Sequence, residues 1–515
     1  MFKKLVPLKT SRNLVAFIIC FAVFIWSFSA GIVTIALPTI SQYLDVSTSL
    51  VSWVVVAHLL VLTSFLLIFG KIGDYVGYKK ILMGGLFLFT IGSYFSGISL
   101  DITQLIASRI LQGVGSAMLL AMTPAIISDS FPHIARGRIF GYISLSTTVA
   151  LSLGYGVGGL VTNYLGWHWV FFLTVPLGLF ALVITYLYLP ESKPIEEYHS
   201  IDIVGSLLIL FAVILLIIPL EMVGKLGWSS PLILAGILSS FSILIIFYKW
   251  ETRHPDPLFN MCLLKRRYLN LSIAAGFMNS FVLTGTIFLL PFYLELILNY
   301  STDIAGLIIL LSTLLIVFVG PLSGKLSDRI GSKLPSTIGA ICLAIALILF
   351  TILDPTVGKF GLIFVVIALL MRSLSDGLFS PANNKLVMSH SPQGMLGSVS
   401  SLLNTAKYLG LVMGVVIFET IFDSTVSHSS GQVEGVTATG AFQFSVPIET
   451  LLTGFQEAFL IGAIISILIV LASILSKENN KANQESDELT ESEQLLMDKT
   501  EQKPILLKDN SEDKP

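Results

Sequence analysis

The sequence predicts an all-α integral membrane protein: fourteen spans forming two six-helix bundles, with two further helices inserted between them. Three observations predict it. The first is composition: 54% of the 515 residues are hydrophobic and only 12% are charged, whereas a soluble domain is about one quarter charged. With a mean hydropathy of +0.86, one soluble core could not absorb the apolar side chains, so lipid must solvate much of the surface. The second is that apolar runs of roughly 20 residues, the length that crosses a bilayer, recur fourteen times between polar breaks. The third is a polar string that occurs twice. "GKIGDYVGYKK" begins at Gly70 and "GKLSDRIGSK" at Gly324, both of the form G-K-x-[GS]-D-x-x-G-x-K.

The runs lie near 13–37, 50–70, 80–100, 104–126, 139–163, 168–190, 201–222, 230–249, 270–297, 303–323, 335–353, 360–383, 396–422 and 453–476. The first is too long for a secretory signal and no small-residue cleavage site follows it, so it is expected to remain. Lysine and arginine set the orientation. With the N-terminus inside, nineteen of the 30 Lys and Arg fall in inner loops and only Lys225 and Lys359 in outer ones. Six lysines belong to the tail, and Arg109, Arg372 and Lys407 fall within spans. An odd number of spans would scramble this asymmetry, so both termini are expected in the cytoplasm.

The organisation that follows is a first bundle over 1–190, an inserted pair over 191–268, a second bundle over 269–476 and a tail over 477–515. The tail is polar and charged, the composition of a disordered segment. The outer loop from Asp423 to about Glu449 has no Lys or Arg and is rich in Ser, Thr and Gly.

Both polar strings fall at inner turns, the first between spans two and three and the second at the equivalent place in the other half. The glycines Gly70, Gly77, Gly324 and Gly331 permit tight reversal and close helix approach. Asp74 and Asp328 can accept hydrogen bonds from N–H groups exposed at a neighbouring helix N-terminus, where the dipole favours an anion. Lys79, Lys80 and Arg329 anchor the turns on the cytoplasmic side. One such loop could be an ordinary turn; two about 250 residues apart, at equivalent places, imply the internal repeat common in secondary transporters.

These strings resemble motif A of the major facilitator superfamily, and the resemblance runs from about residue 13 to 476. "RILQGVGSAML" from Arg109 resembles the family's fourth-helix motif, with Arg109, Gln112, Gly113 and Gly115 in register. "ALSLGYGVGGL" from Ala150 resembles the fifth-helix motif C associated with antiporters, with Gly154, Gly158 and Gly159 in place. "IALPTI", "SWVVVAHLLV", "GWHWVFFLTVPLG", "LPFYLELILNYS" and the inserted pair resemble the fourteen-helix drug/proton antiporter branch. The resemblance implies the major facilitator fold, with Asp74 helping to latch the two halves when the site opens outward. It also implies a role in proton handling for Arg109. Two positions depart from the pattern: Tyr155 stands where motif C usually has proline, and Ser29 where many relatives have a first-helix aspartate. Gly154 and Gly158 also have the small-xxx-small spacing of plain helix packing.

Ionisable groups at mid-bilayer cost roughly 2.5–3.5 kcal/mol on insertion scales, so each is a candidate for function. Arg109 remains charged at ordinary pH; it could tune a nearby carboxylate or bound water, or cap neighbouring carbonyls. Arg372 and Asp376 are four apart on one helical face and are either a self-neutralising pair or a specificity element, with Lys407 able to compete for Asp376. Glu295 and Glu419 lie near outer ends of spans, where each either reaches interfacial water or faces the cavity and carries protons. Glu221 ends the seventh span and reads as structural. His58 reads either as a hydrogen-bonded core residue or as a proton-coupling group.

Several classes are excluded or disfavoured. No G-x-x-x-x-G-K-[ST] phosphate loop supports an ATP-driven pump. Cys20, Cys262 and Cys342 fit neither a disulfide framework nor a zinc site, and no metal cluster or nucleophile elbow points to an enzyme. The resemblance therefore leads to a secondary active exporter of hydrophobic or amphipathic compounds across the cell membrane by proton antiport. No cofactor beyond a proton gradient is expected, and no metal. The expected partners are a small-molecule substrate and membrane lipid, without nucleic acid, and the chain is expected to work as a monomer. A transporter of a defined metabolite and a non-transporting membrane sensor are the alternatives.

Overall fold

The computed structural model describes residues 12–191, 202–254, 261–352, 359–392, 395–430 and 447–477. The expectations for the tail beyond 477 and for most of the outer loop before Glu449 lie outside the described residues. The first bundle contains α1 Arg12–Leu44, α2 Thr48–Val76, α3 Tyr78–Gly97, α4 Ile102–Ser130 and α5 His133–Leu165. Its sixth span is broken in two, α6 His168–Phe172 and α7 Thr174–Tyr188. The inserted pair is α8 Ile203–Glu221, the short α9 Val223–Leu226 and α10 Pro231–Glu251. The second bundle contains α11 Arg267–Phe292, α12 Thr302–Ile330, α13 Lys333–Ile352, α14 Lys359–Ser389, α15 Leu396–Ser430 and α16 Ile448–Leu475.

Fourteen of the described helical segments are long and apolar enough to cross a membrane. They coincide with the expected runs, but many extend past them. α2 reaches Val76 instead of 70 and α12 reaches Ile330 instead of 323. The excess is polar sequence that leaves the apolar layer without leaving the helix, because helix propensity does not end where hydrophobicity does. α11 passes Pro291 and then widens into a π-turn at Tyr293–Ile297. That turn carries Glu295; proline removes a ladder hydrogen bond, and such bulges collect at functional sites.

Packing repeats between the bundles. α1 packs on α5, α2 and α3 on α4, and α3 on α7; correspondingly α11 packs on α15, α12 and α13 on α14, and α13 on α16. The bundles meet along α5·α12 and α2·α15. Exchanging each helix for its counterpart turns one seam into the other, the relation a pseudo-twofold requires.

The buried core shows how the bundles lie. Towards the outer ends, one continuous cluster takes residues from both, among them Ile32, Val54, Tyr155, Phe288, Tyr293, Phe418 and Phe455. It also takes Val213, Ile217 and Leu220 from α8. Towards the basic-loop side the core divides. One cluster, containing Ile18, Leu62, Leu86, Leu119 and Ile184, is built from the first bundle. A separate one, containing Leu269, Val387, Val399 and Leu403, is built from the second. The bundles thus share one core on the outer side and keep separate cores on the inner side, with Tyr408 of α15 packed against the edge of the first bundle's.

Candidate functional site

The hydrogen bonds tell the same story in polar groups. Bonds that join bundles or the inserted pair lie at the outer ends. Thr39 and Thr302 share a hydroxyl contact of 3.2 Å, and Tyr164 donates to Asp303 at 3.4 Å. Ser52 of α2 donates to both carboxylate oxygens of Glu221 at 3.4 Å, while Thr420 of α15 donates to the Leu220 carbonyl at 3.2 Å. The end of α8 therefore bridges the α2·α15 seam. Glu221, read from sequence as structural, is 4% exposed and lies where both bundles meet.

Glycine closes the other seam. A Cβ at Gly154 would sit 2.6 Å from the Phe28 carbonyl oxygen, and one at Gly158 2.6 Å from Ile35, so these two residues seat α5 on α1. Gly159 faces the opposite way, and a Cβ there would sit 2.5 Å from the Thr302 carbonyl oxygen and 3.1 Å from Gly306. One glycine run thus serves two faces, intra-bundle packing and the inter-bundle seam.

At the inner ends Asp74, Lys79 and Asp328 of the repeated strings find partners within their own bundles. Asp74 accepts from Tyr78 at 3.0 Å, and Lys79 donates to the carbonyls of Tyr186 at 2.9 Å and Leu189 at 2.5 Å. Asp328 is ion-paired with Lys385 at 2.6 Å. In this conformation, then, neither aspartate takes a helix N-terminus of the opposite bundle, because the inner ends are apart. The strings are also less loop-like than their composition suggests. All residues of the first junction but Gly77, and of the second but Gly331 and Ser332, are helical, and the reversal is made at Gly77 (φ 100°) and Gly331 (φ 89°). Those two positions need glycine. Gly70 and Gly324 would meet nothing within 4 Å, so no close approach demands glycine there. Lys80 and Arg329 lie on the same inner ends.

Within the first bundle a buried polar network surrounds Arg109, which is 2% exposed. Its Nε donates to the Val54 carbonyl at 2.8 Å and its Nη1 to Gln112 Oε1. Gln112 in turn donates to Ser93 at 2.7 Å and to Ser29 at 3.4 Å. Ser116 and His58 Nε2 are 3.3 Å apart, while His58 Nδ1 is buried without a partner. No ion pair to Arg109 occurs among the described residues. The carboxylate it might have tuned is absent from its contacts, and Ser29 occupies that side of the network. Gln112 is the hub, a role that its place in the motif did not disclose.

In the second bundle the charges do not pair as their spacing suggested. Asp376 accepts from Ser380 at 2.9 Å, and Lys407 donates to Asn384 at 2.6 Å. Arg372, 6% exposed, keeps Nε and Nη1 buried without a hydrogen-bond partner. It lies within electrostatic reach of Asp376 on its own helix and of Tyr155 on α5 of the other bundle. Tyr155, noted in sequence only as a departure from proline, is therefore near enough to feel the buried charge from the other bundle. Nearer the inner side, Trp26 of α1 and Tyr408 of α15 meet edge to face at 6.1 Å.

Glu295 is only half-buried and its Oε1 has no hydrogen-bond partner, whereas Glu419 is 1% exposed and does not reach interfacial water. Among the described residues no group of three or more His, Cys, Asp or Glu could hold a metal ion. What the arrangement can do is bind a solute between two bundles that are closed on one side and separated on the other.

Comparison with known proteins agrees with this geometry. The Major Facilitator Superfamily model matches residues 19–200 and 201–415. The riboflavin transporter RibZ of Clostridioides difficile (strain 630) is 30% identical over 416 residues, 81% of this chain and 89% of that protein. The methylenomycin A resistance protein of Bacillus subtilis (strain 168) is 27% identical, covering 78% of this chain and 85% of its own. The putative multidrug resistance protein MdtD of Shigella sonnei (strain Ss046) is 27% identical over 78% of this chain and 84% of its own. Among solved structures, a D-xylose–proton symporter superposes with a TM-score of 0.64 at 15% identity, over 91% of this chain and 99% of that one. By these matches the chain belongs to the Major Facilitator Superfamily, in a fourteen-helix form.

Proposed function

We propose that this transporter exports hydrophobic or amphipathic compounds across the cell membrane by alternating access, in exchange for protons. The observation that carries the reading is the asymmetry of the bundle contact. One shared core and the glycine seam close the outer side, while the core divides on the inner side. A solute entering between the inner ends reaches the aromatic pair Trp26–Tyr408 and the charges of α14, and rocking of the bundles then delivers it outward. In the outward-opening state Asp74 exchanges Tyr78 for the opposite bundle and acts as the latch. Relatives named for methylenomycin and multidrug resistance support the export of amphipathic compounds.

Riboflavin transport by RibZ favours a second reading, a defined metabolite as substrate. Inside-out vesicles with an acidic interior separate the two. The expected result is accumulation of more than one member of a panel of ethidium, fluorescein and riboflavin, abolished when the pH gradient is collapsed. Accumulation of riboflavin alone would favour the second reading. Accumulation that ignores the gradient would remove antiport.

A further inference from the structure

Among the described residues, Arg372 is the buried cation of the spanning region whose donors are left without partners. The other two are provided for, Arg109 by a carbonyl and an amide and Lys407 by Asn384. Arg372 lies near the middle of α14 and is 6% exposed, yet Nε and Nη1 have no hydrogen-bond partner. Its helical neighbour Asp376 is within electrostatic reach, but the carboxylate accepts the Ser380 hydroxyl and no ion pair between the two occurs among the described residues. A guanidinium has five N–H donors in a planar fork matched to a carboxylate, sulfonate or phosphate. Leaving such donors dry and unpaired carries a desolvation cost that a packed protein normally avoids.

The position is suited to a ligand. Arg372 lies within electrostatic reach of Tyr155 on α5 of the other bundle, close to the seam along which the bundles rock. The ionisable side chains in the middle reaches of α14 and α15 are Arg372, Asp376, Lys407 and Glu419. The first bundle contributes Arg109 and, with Ser29, no carboxylate to its network. In a region of low dielectric an unpaired guanidinium selects strongly for an anion. The ring pair Trp26–Tyr408 supplies an aromatic wall towards the inner side.

From this we infer that Arg372 is the anion-accepting group of the transport site, and that the preferred substrates are aromatic or amphipathic organic anions rather than lipophilic cations. The inference rests on the proposed transport reading for the existence of the cavity, but it concerns binding and needs neither a gradient nor a direction. Equilibrium binding to the full chain in nanodiscs therefore tests it separately from the vesicle experiment.

Fluorescein and rhodamine 123 share a tricyclic xanthene body and differ in charge, and anisotropy reads both. Wild type is expected to bind fluorescein about tenfold more tightly than rhodamine 123, the scale of one hydrogen bond to a charged group. Arg372→Gln should weaken fluorescein about tenfold and leave rhodamine 123 equal or tighter. Arg372→Lys, which keeps the charge but loses the fork, should fall between. A purely structural arginine would lower the melting temperature on removal. Here the empty Arg372→Gln protein should melt no lower than wild type, and only the fluorescein-induced upward shift should vanish. Equal affinity for the two dyes, preference for rhodamine 123, binding of neither, or fluorescein affinity unmoved by Arg372→Gln would each overturn the assignment.

Discussion

Arg109 on α4 and Arg372 on α14 occupy counterpart helices of the two bundles, and the folded chain treats them differently. Arg109 is enclosed by partners: the Val54 carbonyl, Gln112, and behind Gln112 the hydroxyls of Ser93 and Ser29. Arg372 is nearly as buried and lacks partners for Nε and Nη1. A repeat that preserves the helix pairing has thus not preserved the electrostatics. One bundle uses its arginine to tie α4 to α2, and the other leaves its arginine facing the seam. Burial alone does not distinguish a structural charge from a functional one; satisfaction of its donors does.

Three substitutions probe that contrast. The largest effect is expected from Arg109→Leu, which strands the Gln112 amide in a closed network. Unfolding measured in detergent should lose about 2 kcal/mol, against no loss for Arg372→Gln; equal losses would break the comparison. Next comes Ser29→Asp. It places a carboxylate beside Gln112, 3.4 Å away in the present serine contact, and gives the first bundle the anion that Arg109 lacks. Rhodamine 123 binding should tighten by roughly fivefold relative to fluorescein, about 1 kcal/mol of added attraction. An unchanged ratio would show that the first bundle does not feel the ligand's charge. The smallest is Ser380→Ala. Freed from the 2.9 Å hydroxyl bond, Asp376 can turn towards Arg372 and compete with a bound anion. Fluorescein affinity should fall by about threefold, the worth of a weak pair; no change would mean that Asp376 is already held elsewhere.

The two polar strings show how far residue pattern reaches. Their spacing correctly implied equivalent inner junctions, and Gly77 and Gly331 share the same positive φ because each must reverse the chain between two helices. Pattern could not say that Gly70 and Gly324 lack close neighbours, nor that Asp74 turns to Tyr78 while Asp328 turns to Lys385. Those choices depend on which inner ends are near one another in the state adopted. In the glycine run from Gly154, the i, i+4 spacing disclosed packing but not the partner. Gly158 meets α1 and Gly159, one residue on, meets α12, because adjacent helical positions point about 100° apart.

Apolar length was sufficient by itself for the fourteen spans, and the placement of lysine and arginine for the expectation of which junctions face inward. Both are properties of a one-dimensional sequence in a layered solvent: a segment either matches the hydrocarbon thickness or it does not. Only the tertiary structure decided that the outer ends share a core while the inner ends have separate ones, that Glu221 of the inserted pair reaches Ser52, and that Tyr155 comes within electrostatic reach of Arg372. These contacts join residues 169 and 217 positions apart in the chain, and they exist only once bundles of fixed shape meet.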